Sequence, residues 1–129
     1  MVIDSSAVFA IAFNEPERES FLDLITNADV RVIGAPTLFE CRVVALRRMG
    51  VDWSANLDRL LNRLQLSVAP FEEAHEVIAT TAFRKFGKGL DKAGLNFGDC
   101  FTYAIAKAWN EPLLFKGEDF RRTDIVAVI

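Results

Sequence analysis

The chain has 129 residues, 51% hydrophobic and 26% charged, with 15 basic and 18 acidic side chains and a net charge of -3. This is the composition of one globular domain with a full core. It excludes intrinsic disorder and a membrane span, which needs about 20 consecutive apolar residues, and it makes disulfide or metal staples unnecessary. A single histidine, His75, rules out histidine triads and histidine metal centres, and two cysteines, Cys41 and Cys100, make no disulfide framework and fit a cytoplasmic setting.

The apolar run Met1 to Ile3, ending in Asp4, reads as a buried parallel strand with no basic stretch before it, so no signal peptide is expected. Ser5 and Ser6 are good caps for a short apolar helix, Ala7 to Phe13, which Asn14-Glu15-Pro16 breaks. A second helix spans Glu17 to Thr26, and a second strand Arg31 to Gly34. Pro36 opens a helix that runs to Met49 and stops at Gly50. Asp52 caps the next helix, to Leu64, with Leu57, Leu60, Leu61 and Leu64 on one face. A strand over Leu66 to Ala69 precedes a long helix, Glu72 to Phe86, and a glycine-punctuated loop, Gly87 to Gly94. Asn96 caps a helix from Phe97 to Trp109; then come a strand, Leu113 to Phe115, a short helix, Glu118 to Arg122, and a last strand, Ile125 to Val128. Strands alternating with helices predict a single α/β sandwich over residues 1–129, around a mostly parallel sheet of about five strands. The active crevice of such folds lies beyond the carboxyl ends of the strands.

Four acids fall at such places. Asp4 ends the first strand. Glu40 borders the apolar stripe of Phe39, Val43 and Leu46. Asp99 lies in the first turn of the helix capped by Asn96, a pattern that also fits a simple capping box. Asp119 follows the Leu113-Leu114-Phe115 strand by a short turn. Each alone could be a cap or half of an ion pair. Together they form an oxygen-rich set suited to Mg²⁺ or Mn²⁺ rather than zinc, and a hard cation on carboxylates is equipment for phosphodiester hydrolysis. With those four set aside, acids and bases nearly balance, so the acidic pI does not exclude a nucleic-acid substrate.

At these residues the chain resembles the PIN-domain ribonucleases, specifically the VapC toxins of type II (VapBC) toxin–antitoxin pairs. Met1-Val2-Ile3-Asp4-Ser5-Ser6-Ala7 is similar to the family's opening. The most specific stretch is Leu95-Asn96-Phe97-Gly98-Asp99-Cys100, continuing through Tyr103-Ala104 to Pro112-Leu113-Leu114-Phe115-Lys116-Gly117-Glu118-Asp119-Phe120. The resemblance covers essentially the whole chain, with Val51 to Phe83 unspecific. It implies a PIN-like α/β/α sandwich and a metal-dependent endoribonuclease. Asp4, Glu40, Asp99 and Asp119 would be the catalytic acids, with Asp4, Asp99 and Asp119 holding Mg²⁺ (or Mn²⁺). Glu40 would orient or deprotonate the attacking water, and Ser6 would support the site by hydrogen bonding. It also implies a structured RNA substrate such as tRNA or ribosomal RNA, 5′-phosphate and 3′-hydroxyl ends, a homodimer, and a small antitoxin partner whose C-terminal segment enters the acidic groove.

Lys88, Lys92, Lys116, Arg121 and Arg122 are candidates for RNA phosphate contacts, which position without reading sequence. Cys41 and Cys100 read as small buried residues rather than a redox switch, and His75 as a surface residue. Trp53 and Trp109 read as packing residues. Phe9, Phe13 and Phe39 fit either core or a partner surface. Two rivals remain at this point: a receiver-like phosphoacceptor module, and a degenerate, non-catalytic PIN interaction domain.

Overall fold

A computed structural model describes all 129 residues. Four strands, β1 (Val2–Ile3), β2 (Val32–Gly34), β3 (Ser67–Ala69) and β4 (Leu113–Leu114), form one sheet in the order β3-β2-β1-β4. All pairings are parallel, with Val2 opposite both Val32 and Leu113. The six helices are α1 (Ser5–Ala12), α2 (Arg18–Thr26), α3 (Ala35–Met49), α4 (Ser54–Leu64), α5 (Glu73–Phe86) and α6 (Phe97–Trp109).

The strand residues alternate between two cores, as a period of two requires. Ile3, Ile33 and Leu114 face one apolar cluster with Ala7, Val8, Ile11, Phe21, Ile25, Cys41, Leu57 and Leu64, from α1 to α4. Val2, Val32, Leu113 and Phe115 face the other, with Leu95, Cys100, Tyr103, Ile105 and Ala106 of the α6 region and Ala82 of α5. The result is the expected three-layer sandwich, with a sheet buried on both faces. Strand order separates it from a receiver-like module, whose order is 2-1-3-4-5.

Three local expectations change. Ile125 to Val128 forms no full strand; it adds one parallel bridge, Ala127 to Leu113, and two backbone bonds to Leu113. The segment before it is a 3-10 turn, Phe120–Arg122. Asp52 lies within another 3-10 turn, Val51–Trp53, and α4 starts after it without a side-chain cap.

The topology reverses at β1. From there the chain winds outward through β2 and β3, then returns to the other side of β1 as β4. A crevice opens at such a switch point, beyond the strands' carboxyl ends. Asp4 follows β1, and Asp119 lies in the turn after β4.

Candidate active site

α1 starts directly after β1, so the residue whose carbonyl accepts the first helical bonds is Asp4 itself, from Ala7 and Val8 at 3.1 and 3.2 Å. Asp4 is therefore the N-cap, not Ser5 or Ser6. The serines serve the acids instead. Ser6 donates to Asp4 Oδ2 from its backbone N–H at 3.0 Å and from its hydroxyl at 2.6 Å. Ser5 Oγ donates to Glu40 Oε1 at 2.5 Å. The other Asp4 oxygen, Oδ1, accepts from Thr102 Oγ1 of α6 at 2.8 Å, and Thr102 Oγ1 lies 3.0 Å from Thr37 Oγ1 of α3. Asp4 is only 4% exposed.

Glu40 and Asp99 approach from opposite faces of the sheet. Glu40 stands in the second turn of α3, its Oε2 packed so tightly on Gly98 of α6 that a Cβ there would collide with it. Asp99 closes a capping box: its Oδ2 accepts from Asn96 N–H, and Asn96 Oδ1 accepts from Asp99 N–H, both at 2.9 Å. Capping does not cancel its electrostatic strain. Burial pushes the Asp99 carboxyl up to about 6; the Asn96 hydrogen bond opposes this, and the charges of Asp4, Asp119 and Glu40 add to it. Asp119 is exposed, in a turn where Gly117 takes φ +111°.

Three of the acids thus act on the fourth, Asp99, and none of the four has a basic partner: the seven ion pairs of the chain lie elsewhere. A half-buried group of uncompensated carboxylates is costly unless a cation joins it. The set is not a closed cage, since no three acids, cysteines or histidines converge as direct ligands. That suits Mg²⁺, which binds through one or two carboxylates and keeps several waters.

A PIN-domain family model matches residues 1–126. The "Ribonuclease VapC" of Mycolicibacterium smegmatis is 41% identical over 128 residues, covering 99% of both chains. The chain belongs to the VapC ribonuclease family of PIN domains. "Ribonuclease VapC30" of Mycobacterium tuberculosis is 39% identical over 128 residues, 99% of this PIN domain and 98% of that protein. Among solved structures, this PIN domain shares its fold with Mycobacterium tuberculosis VapC20, described as a sarcin-ricin loop cleaving toxin, at TM-score 0.78 and 17% identity over 98% and 97% of the two chains. It shares it also with Rickettsia felis VapBC2, bound to a promoter DNA fragment, at TM-score 0.75 and 18% identity over 98% and 94%.

Around the acids of this PIN domain the basic candidates are placed unequally. Lys88 and Lys92 are exposed on the 87–94 loop, which Leu95 ties back by backbone bonds with Phe86 and Lys88 just before Asn96. Arg122 donates to the Lys92 carbonyl at 3.0 Å, joining that loop to the Asp119 turn. Arg121 donates to the Ile129 carbonyl at 2.9 Å and lies over the Phe115 ring. Lys116 is held by Glu15 and Glu17.

Both cysteines are free and buried, and their thiols are pushed up, chiefly by burial and then by neighbouring acids, which leaves them protonated and inert. His75 is half-buried: its Nδ1 accepts from Glu72 N–H at 2.9 Å within the α5 capping box. Trp53 packs on Phe13, whose ring also carries Arg48, whereas Trp109 is 46% exposed. Along α6, Ile105 is buried and Phe97 is 80% exposed. Phe97 and Phe101 instead line an apolar hollow of about 390 Å³ with Phe71 and Phe83, which holds a single carboxylate, Glu76, and none of the four acids.

Ser5, Thr37, Thr102 and Gly98 were not singled out as site residues from sequence. Thr102 carried a signal, three residues after Asp99 on the same helical face. The pairing of Ser5 with Glu40 and of Gly98 with Glu40 had none, because each joins separate elements.

Proposed function

We propose that the chain, acting as one PIN domain over residues 1–129, is the toxin of a VapBC-type pair and a Mg²⁺-dependent endoribonuclease, with Mn²⁺ able to substitute. The observation that carries this reading is a group of four acids without a single basic partner, three of which raise the fourth, Asp99, in a chain of the VapC ribonuclease family. Asp4, Asp99 and Asp119 would hold the cation, one or two of them directly and the rest through its waters. Bound there, it would make water more acidic and neutralise charge developing on the RNA phosphate.

The chain's own residues do the rest. Ser6 and Thr102 fix both oxygens of Asp4, so its lone pairs are aimed before any ligand arrives. Ser5 holds one oxygen of Glu40 and leaves the other to orient the attacking water and take its proton. Lys88, Lys92 and Arg122, on the joined loops beside Asp99 and Asp119, would meet the RNA backbone. The substrate is a structured RNA of the tRNA or ribosomal class. The partners are a second copy of this chain and a small VapB-like antitoxin, which would silence the site by pairing a base with the uncompensated acids. The VapBC2 complex of Rickettsia felis, which shares this fold, supports the antitoxin reading.

The test is cleavage of total cellular RNA with Mg²⁺ or Mn²⁺ against EDTA, beside Asp4→Asn and Asp99→Asn. Discrete fragments with 5′-phosphates that need the cation and vanish in both variants are expected. Cyclic 2′,3′-phosphate ends, or cleavage that persists in both variants, would overturn the scheme.

A further inference from the structure

Lys116 sits where three segments meet. Its backbone N–H donates to Ser6 Oγ at 3.0 Å, and that hydroxyl in turn donates to Asp4 Oδ2 at 2.6 Å. Its Nζ lies 2.6 Å from Glu15 Oε2 and 3.0 Å from Glu17 Oε2, on the turn between α1 and α2. That turn is itself pinned: Glu15 N–H donates to the Ala10 carbonyl at 2.9 Å, Arg18 N–H to the Glu15 carbonyl at 3.0 Å, and the Arg18 guanidinium to the Ile11 carbonyl. Asp119 follows three residues later, past the positive-φ Gly117.

The pairing is mutual. Contacts in which it donates to the Glu15 and Glu17 carboxylates hold the Lys116 ammonium above its ordinary range, and the same contact holds Glu17 below its own. Glu17 Oε2 is enclosed and makes no well-aligned hydrogen bond, so the charge of the ammonium 3.0 Å away is its only compensation. An ammonium between two carboxylates presents no net positive charge to an RNA phosphate. Exposed ion pairs add little to folding stability, so the cluster's value lies in geometry.

We propose that Lys116 is a positioning residue: with Glu15 and Glu17 it forms a latch that fixes the Asp119 turn against the Asp4–Ser6 end of β1, in place of the phosphate contact its charge suggests. This rests on the reading of Asp119 as a site acid. The latch acts at the switch point, where β1 and β4 would otherwise carry their acids on independent turns.

The variants are Lys116→Met, the pair Glu15→Gln with Glu17→Gln, all three together, and Lys116→Arg. Three readouts apply: calorimetric Mn²⁺ binding without RNA, RNA cleavage kinetics, and amide exchange of residues 117–119 in metal-free protein. A latch predicts that Lys116→Met and the glutamine pair each weaken Mn²⁺ binding about tenfold. They lower kcat with KM unchanged and speed exchange of those amides. The triple variant is no worse than either, because all three break one device, and Lys116→Arg recovers most of the loss. If Lys116→Met instead raises KM and reduces the salt dependence by about one phosphate, while the glutamine pair changes neither Mn²⁺ binding nor exchange, Lys116 is a phosphate contact and the latch is wrong. Wild-type protein that cuts no RNA, with faster exchange in the variants, would keep the latch and remove the nuclease reading. Cleavage by the wild type with exchange and Mn²⁺ binding unaltered in every variant would do the opposite. The exchange readout needs neither metal nor RNA and decides the matter if no Mn²⁺ binds.

Discussion

Thr102 donates its hydroxyl hydrogen to Asp4 Oδ1 at 2.8 Å across 98 residues of sequence, and both side chains are buried. With its one hydrogen given to the carboxylate, Thr102 can only accept from Thr37, 3.0 Å away. The relay Thr37–Thr102–Asp4 therefore joins α3, α6 and the end of β1, and it fixes the oxygen that Ser6 does not reach. Thr102→Val keeps the shape and removes the donor. We expect a fall in cleavage rate of about ten- to a hundredfold and a loss of about 1–2 kcal/mol in a denaturant melt. Unchanged cleavage would show that Asp4 needs no fixing on that side.

Gly98 leaves room for Glu40 and for nothing else: an added Cβ would overlap Glu40 Oε2. The obstructing atom ends a flexible side chain, so Gly98→Ala can fold by moving Glu40 aside. Alanine also favours the first turn of α6 by up to about 1 kcal/mol. Stability should stay level or rise while cleavage falls toward that of Glu40→Gln. Circular-dichroism melts and initial rates on the same preparations separate the two effects; a variant that cuts normally would mean that Glu40 can act from a displaced position.

Much of this was legible in the chain because local chemistry set it. Val2-Ile3-Asp4 is apolar up to its acid, so β1 and the emergence of Asp4 follow from sequence alone; Asn96 and Asp99 sit three apart, which is the capping box that forms. Two features resisted for physical reasons. Ser5 and Ser6 are as good caps as Asp4 on any scale, and only the absence of a spare residue between β1 and α1 gives the cap to the acid. Ile125 to Val128 is an unbroken apolar run like that of a buried strand, but it is anchored only at Leu113, beyond the edge of β4, and makes one bridge. Lys116 is the clearest case: its charge proposes a phosphate, and only the fold brings Glu15 and Glu17 to it across 101 and 99 positions.

The Asp119 turn depends on Gly117, whose φ of +111° is strained for any residue with a Cβ. Gly117→Ala should cost about 1–3 kcal/mol or shift the turn, and in either case weaken metal binding. Gly50, at φ +82° with open space around it, is the matched control, at the far end of α3 from Glu40. Gly50→Ala should lose similar stability in a thermal melt and keep full cleavage. Equal activity losses in the two variants would mean that stability alone governs both.

Asp99 sets the pH response. Its carboxyl is pushed up to about 6, first by burial and then by Asp4, Asp119 and Glu40, so the folded state prefers it protonated. In metal-free protein that preference contributes fully below about pH 4, its ordinary range, and is lost as pH rises to about 6. Asp99→Asn escapes the loss. It should match the wild type near pH 4 and exceed it above pH 6 by about 1 kcal/mol, a figure reduced for the carboxyl's partial exposure to solvent. A divalent cation reverses the balance, because it competes with the proton for the same oxygens. Wild-type Mn²⁺ affinity should climb up to about tenfold per pH unit below pH 6 and level off above it, while Asp99→Asn shows neither the climb nor comparable affinity. Melting curves in EDTA from pH 4 to 8, with Mn²⁺ titrations over the same range, read both arms. A stability difference between the two proteins that is flat across that range would place the strain elsewhere than on Asp99.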